Sequence, residues 1–241
     1  MELRTILLSL MTLIVVGLVI IIIYELTYGG GITTPSRTAP QKTSVQIIGN
    51  LHHGDERMKF ENDLPKSQNE EDGIEYSYAC WLLINNYSDT SDVPIIYVRG
   101  RTDLSLQSPS VTLRRDRNEI HILQDTFNSK EPGKIVITNL PAGKLIHIVV
   151  SIKQASMDVY IDGLLYKHLT LSSLPFQNNE PMYIAENGGW HGMIGSFVYY
   201  NYALSPDEVR KLSQQKPTRD PNDLPPYPPY LDTSWWITKY T

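Results

Sequence analysis

Hydrophobic and polar positions divide this chain into stretches of different character. The first is the uncharged run TILLSLMTLIVVGLVIIIIY from Thr5 to Tyr24. At about 1.5 Å rise per residue, a helix of that length spans about 30 Å, the hydrocarbon thickness of a bilayer. A helix is also how a lone segment satisfies its backbone there. Residues 28–44 (YGGGITTPSRTAPQKTS) then read as a flexible spacer. From Val45 to Phe197 the pattern changes to short apolar runs broken by turn residues, which predicts strands. Glu75–Ile84 is apolar on both faces, as a central strand is. Pro94–Val98, Ser110–Leu113, Glu119–Leu123 and Lys134–Thr138 follow. In Leu145–Lys153 the residues Ile146, Ile148, Val150 and Ile152 alternate with His147, Ser151 and Lys153, and Val149 is the one apolar exception. Met157–Ile161 alternates in the same way and turns through Asp162-Gly163, a pair that tolerates positive φ, into Leu164–Leu171. Met182–Ala185 and Met193–Tyr199 complete the strands.

One short helix is signalled near the C-terminal end. Ser205-Pro206-Asp207-Glu208 supplies an N-cap, a proline at the first helical position and a capping box, with Val209 and Leu212 as the apolar stripe. The tail from Lys216 to Thr241 is Pro-rich and then aromatic (DLPPYPPYLDTSWWITKY). The predicted architecture is all-β: a two-sheet antiparallel sandwich or jelly roll, with one N-terminal transmembrane helix and one short C-terminal helix. The expected organisation is an anchor over residues 1–27, a linker over 28–44, the sandwich over 45–215 and the tail over 216–241.

A cleaved signal peptide is the alternative to an anchor. The run is longer than a usual signal core, and ELTYGGGITTP after it lacks a small-x-small cleavage site. Arg4 precedes the helix and no Lys or Arg follows until Arg37, which places the N-terminus in the cytoplasm and the domain on the opposite side. The net charge of −5 is spread along the chain, and no basic stripe points to nucleic acid. Fifteen Tyr, sixteen Pro and fifteen Gly favour strands and turns. The single cysteine, Cys80, cannot form an internal disulfide and lies in an apolar run, so it reads as buried and inert.

Three stretches together resemble a laminin G-like, concanavalin A-like domain: GIEYSYACWLLI ending at Ile84, LIHIVVSIKQASMDVYIDG from Leu145 to Gly163, and GMIGSFVYYNYALSPDEVRKL from Gly192 to Leu212. In the second, Leu145 or Ile146 stands where the family usually has Trp. The resemblance covers residues 45–215 and implies two antiparallel sheets packed face to face. It also implies that Ca²⁺ could be held by loop acids, for which Asp103, Asp125 and Glu186 are candidates, although none lies in a recognisable Ca²⁺ loop. The N-terminal helix, the DLPKS stretch from Asp63 and the PPYLDTSWW tail are similar to membrane-anchored members encoded by large DNA viruses. That similarity would imply a virion membrane protein.

The same superfold houses retaining glycosidases, which need two carboxylates about 5 Å apart. Glu70, Asp72 and Glu75 match E-x-D-x-x-E formally, but Gly73 interrupts them and no apolar residues alternate with them, so a solvated acidic loop is the expectation and no catalytic residue is assigned. His52-His53 are adjacent and point opposite ways on a strand, and no metal or other cofactor site is assigned. The loop Glu186–Gly192 pairs Trp190 with Asn187 and His191. Either this is a sugar-stacking surface, or Trp190 packs beneath the loop and the glycines serve the turn. Tyr227, Tyr230, Trp235 and Trp236 either cover a sandwich edge or dock a partner. Asn86 heads an N-glycosylation sequon. The expected function is recognition of glycan or glycoprotein by a membrane-held, non-enzymatic module. The alternative is a structural membrane component contacting capsid or envelope proteins, and a glycosidase is the third reading.

Overall fold

The computed structural model describes residues 3–27, 41–61, 63–67, 74–86, 93–114, 116–128 and 132–217. It divides into two units, Met1–Gln41 and Lys42–Thr241. In the first, α1 (Leu3–Thr27) includes Thr5 and Tyr24, the expected ends of the apolar span. Its segment Leu7–Tyr24 is long and apolar enough to cross a membrane.

The second unit is a sandwich of two antiparallel sheets. One contains β1 (Ser44–Ile48), β2 (His52–His53), β4 (Glu75–Ile84), β9 (Leu145–Lys153), β10 (Ser156–Ile161), β11 (Leu164–Thr170) and β13 (Gly192–Tyr200). Its order is β1-β13-β4-β9-β10-β11, with β2 also paired to β13. The other runs β3 (Met58–Phe60), β12 (Met182–Glu186), β5 (Ile95–Gly100), β6 (Gln107–Arg114), β7 (Glu119–Gln124) and β8 (Gly133–Thr138). Period-2 alternation decides which side chains meet between the sheets. Tyr76, Tyr78, Cys80, Leu82 and Ile84 of β4 join Ile146, Ile148, Val150 and Ile152 of β9 in the main core, facing Val111, Leu113, Ile120 and Ile122 of the second sheet.

β4 is buried on both faces because its outer face is also covered. α2 (Pro206–Leu212) lies there, with Val209 packing on Ala79, Val149, Tyr160 and Leu204. Val149, the apolar exception in its strand, is therefore part of the helix's docking surface. Ser77 Oγ accepts from Leu204 N at 2.9 Å and donates to Tyr202 O at 3.0 Å, so the segment leading into the helix is fastened to the same face. The capping box forms as its spacing predicts: Glu208 N donates to Ser205 Oγ, and Ser205 N to Glu208 Oε2 at 2.7 Å. The β10–β11 turn has φ of 49° at Asp162 and 85° at Gly163. The start of the domain is tied to its far end: Thr43 N donates to Asn201 Oδ1 at 2.8 Å, and Asn201 N to Thr43 O at 3.1 Å.

β6 begins at Gln107, three residues before the strand read from the sequence. Gln107 and Ser108 are polar yet buried, and they hydrogen-bond inside the fold: Gln107 N donates to Asp125 Oδ2 at 2.7 Å, and Ser108 Oγ meets Tyr76 Oη at 3.3 Å. The short strands β1, β2 and β3 were not separately predicted.

Candidate functional site

The chain between β12 and β13 turns through positive φ at Asn187, Gly188 and Gly189, after a further positive φ at Ala185 within β12. Its backbone is held by Gly54: Trp190 N donates to Gly54 O at 2.8 Å, and Gly54 N to Gly192 O at 2.9 Å. A Cβ at Gly54 would lie 2.5 Å from the Trp190 ring, so glycine is what lets the chain pass over the indole. Trp190 Nε1 donates to Leu83 O at 3.0 Å, and the residue is 1% exposed within the main core. This corrects the expectation of a sugar-stacking Trp190: burial of the ring, with its one donor satisfied by a backbone carbonyl, leaves no face for a ligand. Asn187 and His191 remain exposed, without that ring beside them.

A different group of side chains converges on the outer face of the first sheet. Trp81 of β4 and His147 of β9 are direct cross-strand partners, with ring centroids 5.1 Å apart and planes at 47°. They back a cavity of about 390 Å³ whose wall includes Gln46, Asn50, Ser196 and Tyr200, close to the end of α2. Gln46 and Asn50 are exposed, Tyr200 is half-buried, and Trp81 and His147 are buried. Burial pushes the His147 imidazole down to about 4, against a smaller upward pull from the Asp162 carboxylate. The ring is thus neutral at ordinary pH, and its buried Nδ1 hydrogen-bonds no protein group. Asp162 Oδ1 accepts from His147 N at 2.9 Å, so the β10–β11 turn fixes the backbone of this strand. The half-buried Tyr200 ring gives apolar contact and the exposed Gln46 and Asn50 amides give hydrogen bonding, above a floor formed by the buried Trp81 and His147 rings, a combination that fits a polyhydroxylated ligand. Sequence reading placed His147 on the outward face but had no means of pairing it with Trp81, because that pairing is set by strand register.

Of the acids that match the glycosidase pattern, Glu75 begins β4, is 8% exposed and lies 3.6 Å from Lys153 Nζ. Glu70 and Asp72 lie outside the described residues. Asp103 accepts from Ser105 N and Oγ at 2.9 and 2.7 Å, Asp125 from Gln107 N, and Glu186 pairs with Arg57 at 3.7 Å. Among the described residues no three His, Cys, Asp or Glu side chains gather as a group that could hold a metal ion. The His52 ring hydrogen-bonds the Glu56 carbonyl at 2.8 Å. Asn86 is exposed. The rest of its sequon lies outside the described residues, as do Tyr227, Tyr230, Trp235 and Trp236.

No curated protein matches this chain. Among solved structures it is similar to the receptor binding domain of botulinum neurotoxin D, with a TM-score of 0.55 and 12% identity over 73% of this chain and 48% of that one. It is also similar to the botulinum neurotoxin serotype D binding domain, with a TM-score of 0.52 and 12% identity over 72% of this chain and 42% of the other. The chain thus spans less than half the length of these neighbours, and at such identity the likeness is one of fold. At the level of sequence, residues 53–210 match the concanavalin A-like lectin/glucanases superfamily. That match runs from β2 into α2, across both sheets, and this chain belongs to the concanavalin A-like lectin/glucanase superfamily.

Proposed function

We propose that this protein is a non-enzymatic glycan-binding module, held at a membrane by α1, that seats its ligand in the outer-face cavity backed by Trp81 and His147. The observation that carries the reading is the convergence of Trp81, His147, Tyr200, Gln46 and Asn50 on one cavity. Sugar sites need an apolar ring face and amides at fixed positions, and here Tyr200 offers the ring and Gln46 and Asn50 the amides over a floor that strand register locks at Trp81 and His147. Neighbours described as binding domains share the fold, which supports a recognition role without naming a ligand. Fold alone does not assign a function, so the site bears the weight.

A second reading rests on β11. Leu164, Leu165 and Tyr166 are 67%, 55% and 43% exposed on a strand at the sheet edge. Apolar side chains on an open edge suit protein contact. In that reading the protein is a structural membrane component that docks neighbours, capsid or envelope proteins among them.

The test is a glycan array probed with the full chain in detergent. Binding that falls at least tenfold in the double variant Gln46→Ala/Asn50→Ala, with Tm unchanged, supports the outer-face site. If no glycan is bound and Leu165→Lys abolishes self-association or partner capture, the second reading replaces the first.

A further inference from the structure

Two loops at one end of the sandwich hold large apolar side chains out to solvent. Phe127 follows β7 and is 61% exposed, and Leu174, between β11 and β12, is 45% exposed. Phe176 stands beside them, half-buried, its ring edge-on to Phe127 with centroids 5.3 Å apart. Backbone hydrogen bonds zip the two loops together. Phe127 N donates to Leu174 O at 3.0 Å and Phe176 N to Asp125 O at 2.8 Å, while the buried Gln124 donates through Nε2 to Phe176 O at 3.1 Å. The rings are thus presented by a tied frame. Neighbouring apolar side chains left in water on such a frame mark a contact surface. Its charge is low: residues 124–128 and 171–176 contain one acid, Asp125, and no Lys or Arg.

Strand register fixes which end of the domain carries this tip. Ser44, where β1 starts, pairs with Tyr200, Tyr200 with Ser77, and Ser77 with Ser151. Slightly further out on β4 and β9, Glu75 pairs with Lys153. The β9–β10 turn lies just beyond, and Leu171 N donates to Ala155 O within it at 2.7 Å. Leu171 opens the loop that bears Leu174. The chain coming from α1 therefore enters the sandwich at the end that presents Phe127 and Leu174. His191 is at the opposite end, where Gly192 pairs with Ile84 and Asn85 N donates to His191 O at 2.8 Å.

We infer that this end of the domain inserts Phe127 and Leu174 into the interface of the bilayer that holds α1, so that the module touches its membrane twice, through the helix and through its own loops. The inference rests on the reading of α1 as an anchor. Two exposed apolar side chains bind a bilayer weakly by themselves. A domain tethered through residues 28–40 meets that bilayer at an effective concentration of about millimolar, where weak contact suffices. The hydrogen bonds that zip the loops already pair much of the tip's backbone inside the protein, as an apolar surround demands, and the exposed Asn128 and Ser172 beside the rings suit the headgroup level. Position at the tether end is what favours a bilayer over a protein as the occupant. With no cation at the tip among the described residues, apolar burial drives the contact and lipid charge does not. Once seated, the domain points its His191 end away from the membrane.

The test uses the full chain reconstituted in vesicles that contain a doxyl-labelled phosphatidylcholine, made of phosphatidylcholine alone or of phosphatidylcholine and phosphatidylserine in equal parts. An environment-sensitive dye is attached at Asn128→Cys or at His191→Cys; both positions are exposed, whereas Cys80 is buried and stays unlabelled. The Asn128 dye is expected to be quenched at least threefold more than the His191 dye, equally in both lipid mixtures and at high salt. Phe127→Ser/Leu174→Ser should bring it down to the His191 level with Tm unchanged, and Leu174→Glu alone should do the same. Flotation followed by a carbonate wash reads the anchor separately. Equal quenching at the two positions, in a chain that floats and resists carbonate, would overturn loop insertion and leave α1 as the anchor. Release by carbonate, with the Asn128 dye still quenched beforehand, would support insertion and overturn the anchor. A chain that does not float overturns both. A blue-shifted Asn128 dye that the doxyl lipid does not quench would put a second copy of the chain on the tip in place of lipid, and quenching that needs phosphatidylserine and vanishes at high salt would make the contact one of charge; either result overturns the proposal.

Discussion

Burial acts on Cys80 and His147 in opposite directions because it favours the neutral form of each. The Cys80 thiol is pushed up to about 12, so it has almost no thiolate at pH 8. A thiol reagent at that pH is expected to label the folded protein negligibly and to label it fully once denaturant is added. His147 is held near 4, below its usual 6.5. The unfolded chain therefore binds the proton first as pH falls. His147's contribution is complete above about pH 6.5, is lost as pH drops towards 4, and amounts to about 3 kcal/mol over that window. Denaturant titrations at pH 7 and pH 4.5 should show this slope, and His147→Gln should flatten it. Trp190→Ala is expected to cost about 3–5 kcal/mol by opening a core cavity, read as a lower denaturation midpoint. The place of Trp190 was not legible from its own neighbourhood of glycines. Its cradle, Gly54, lies far away in the sequence, and the contact exists only once β2 and β13 have paired.

Elements were legible to the extent that their signals are local. The capping box of α2 lies within four residues, and β9 and β10 announce themselves by alternation. Where polar residues are buried and satisfied, as at Gln107 and Ser108, alternation is erased and the strand start is missed. β2 and β3 are too short to carry a period at all. The cap and the docking surface of α2 can be separated experimentally. Ser205→Ala removes one hydrogen-bonded cap and should cost about 1 kcal/mol. Val209→Asp places an unpaired carboxylate against Ala79, Val149 and Tyr160 and should cost more, about 3 kcal/mol, because it undocks the helix from the sheet. Hydrogen exchange over residues 206–213 reports both: modest fraying in the first variant, loss of protection along the whole helix in the second.

At the scale of the whole molecule, the three stretches that carried the family resemblance are far apart in sequence and adjacent in space. They supply β4, the β9–β10 hairpin and β13 with α2, which are neighbours in the order β13-β4-β9-β10. The resemblance was therefore a view of one sheet. The opposite sheet and the outer-face cavity depend on long-range pairing that no single stretch encodes. The topology also sets where the sandwich yields under mechanical load. A pull applied ahead of residue 41 reaches the domain at β1, an edge strand that among the described residues is bonded only to β13, with its register broken after Gln46. The reciprocal hydrogen bonds between Thr43 and Asn201 sit ahead of that strand like a latch. In single-molecule stretching from the N-terminal side, β1 should peel away first, and Asn201→Ala should lower the rupture force while leaving β4 and β9, at the centre of the sheet, to resist as before. A domain pulled from that end would thus have a built-in fuse at its first strand, a yield point that gives way before the outer-face cavity is distorted.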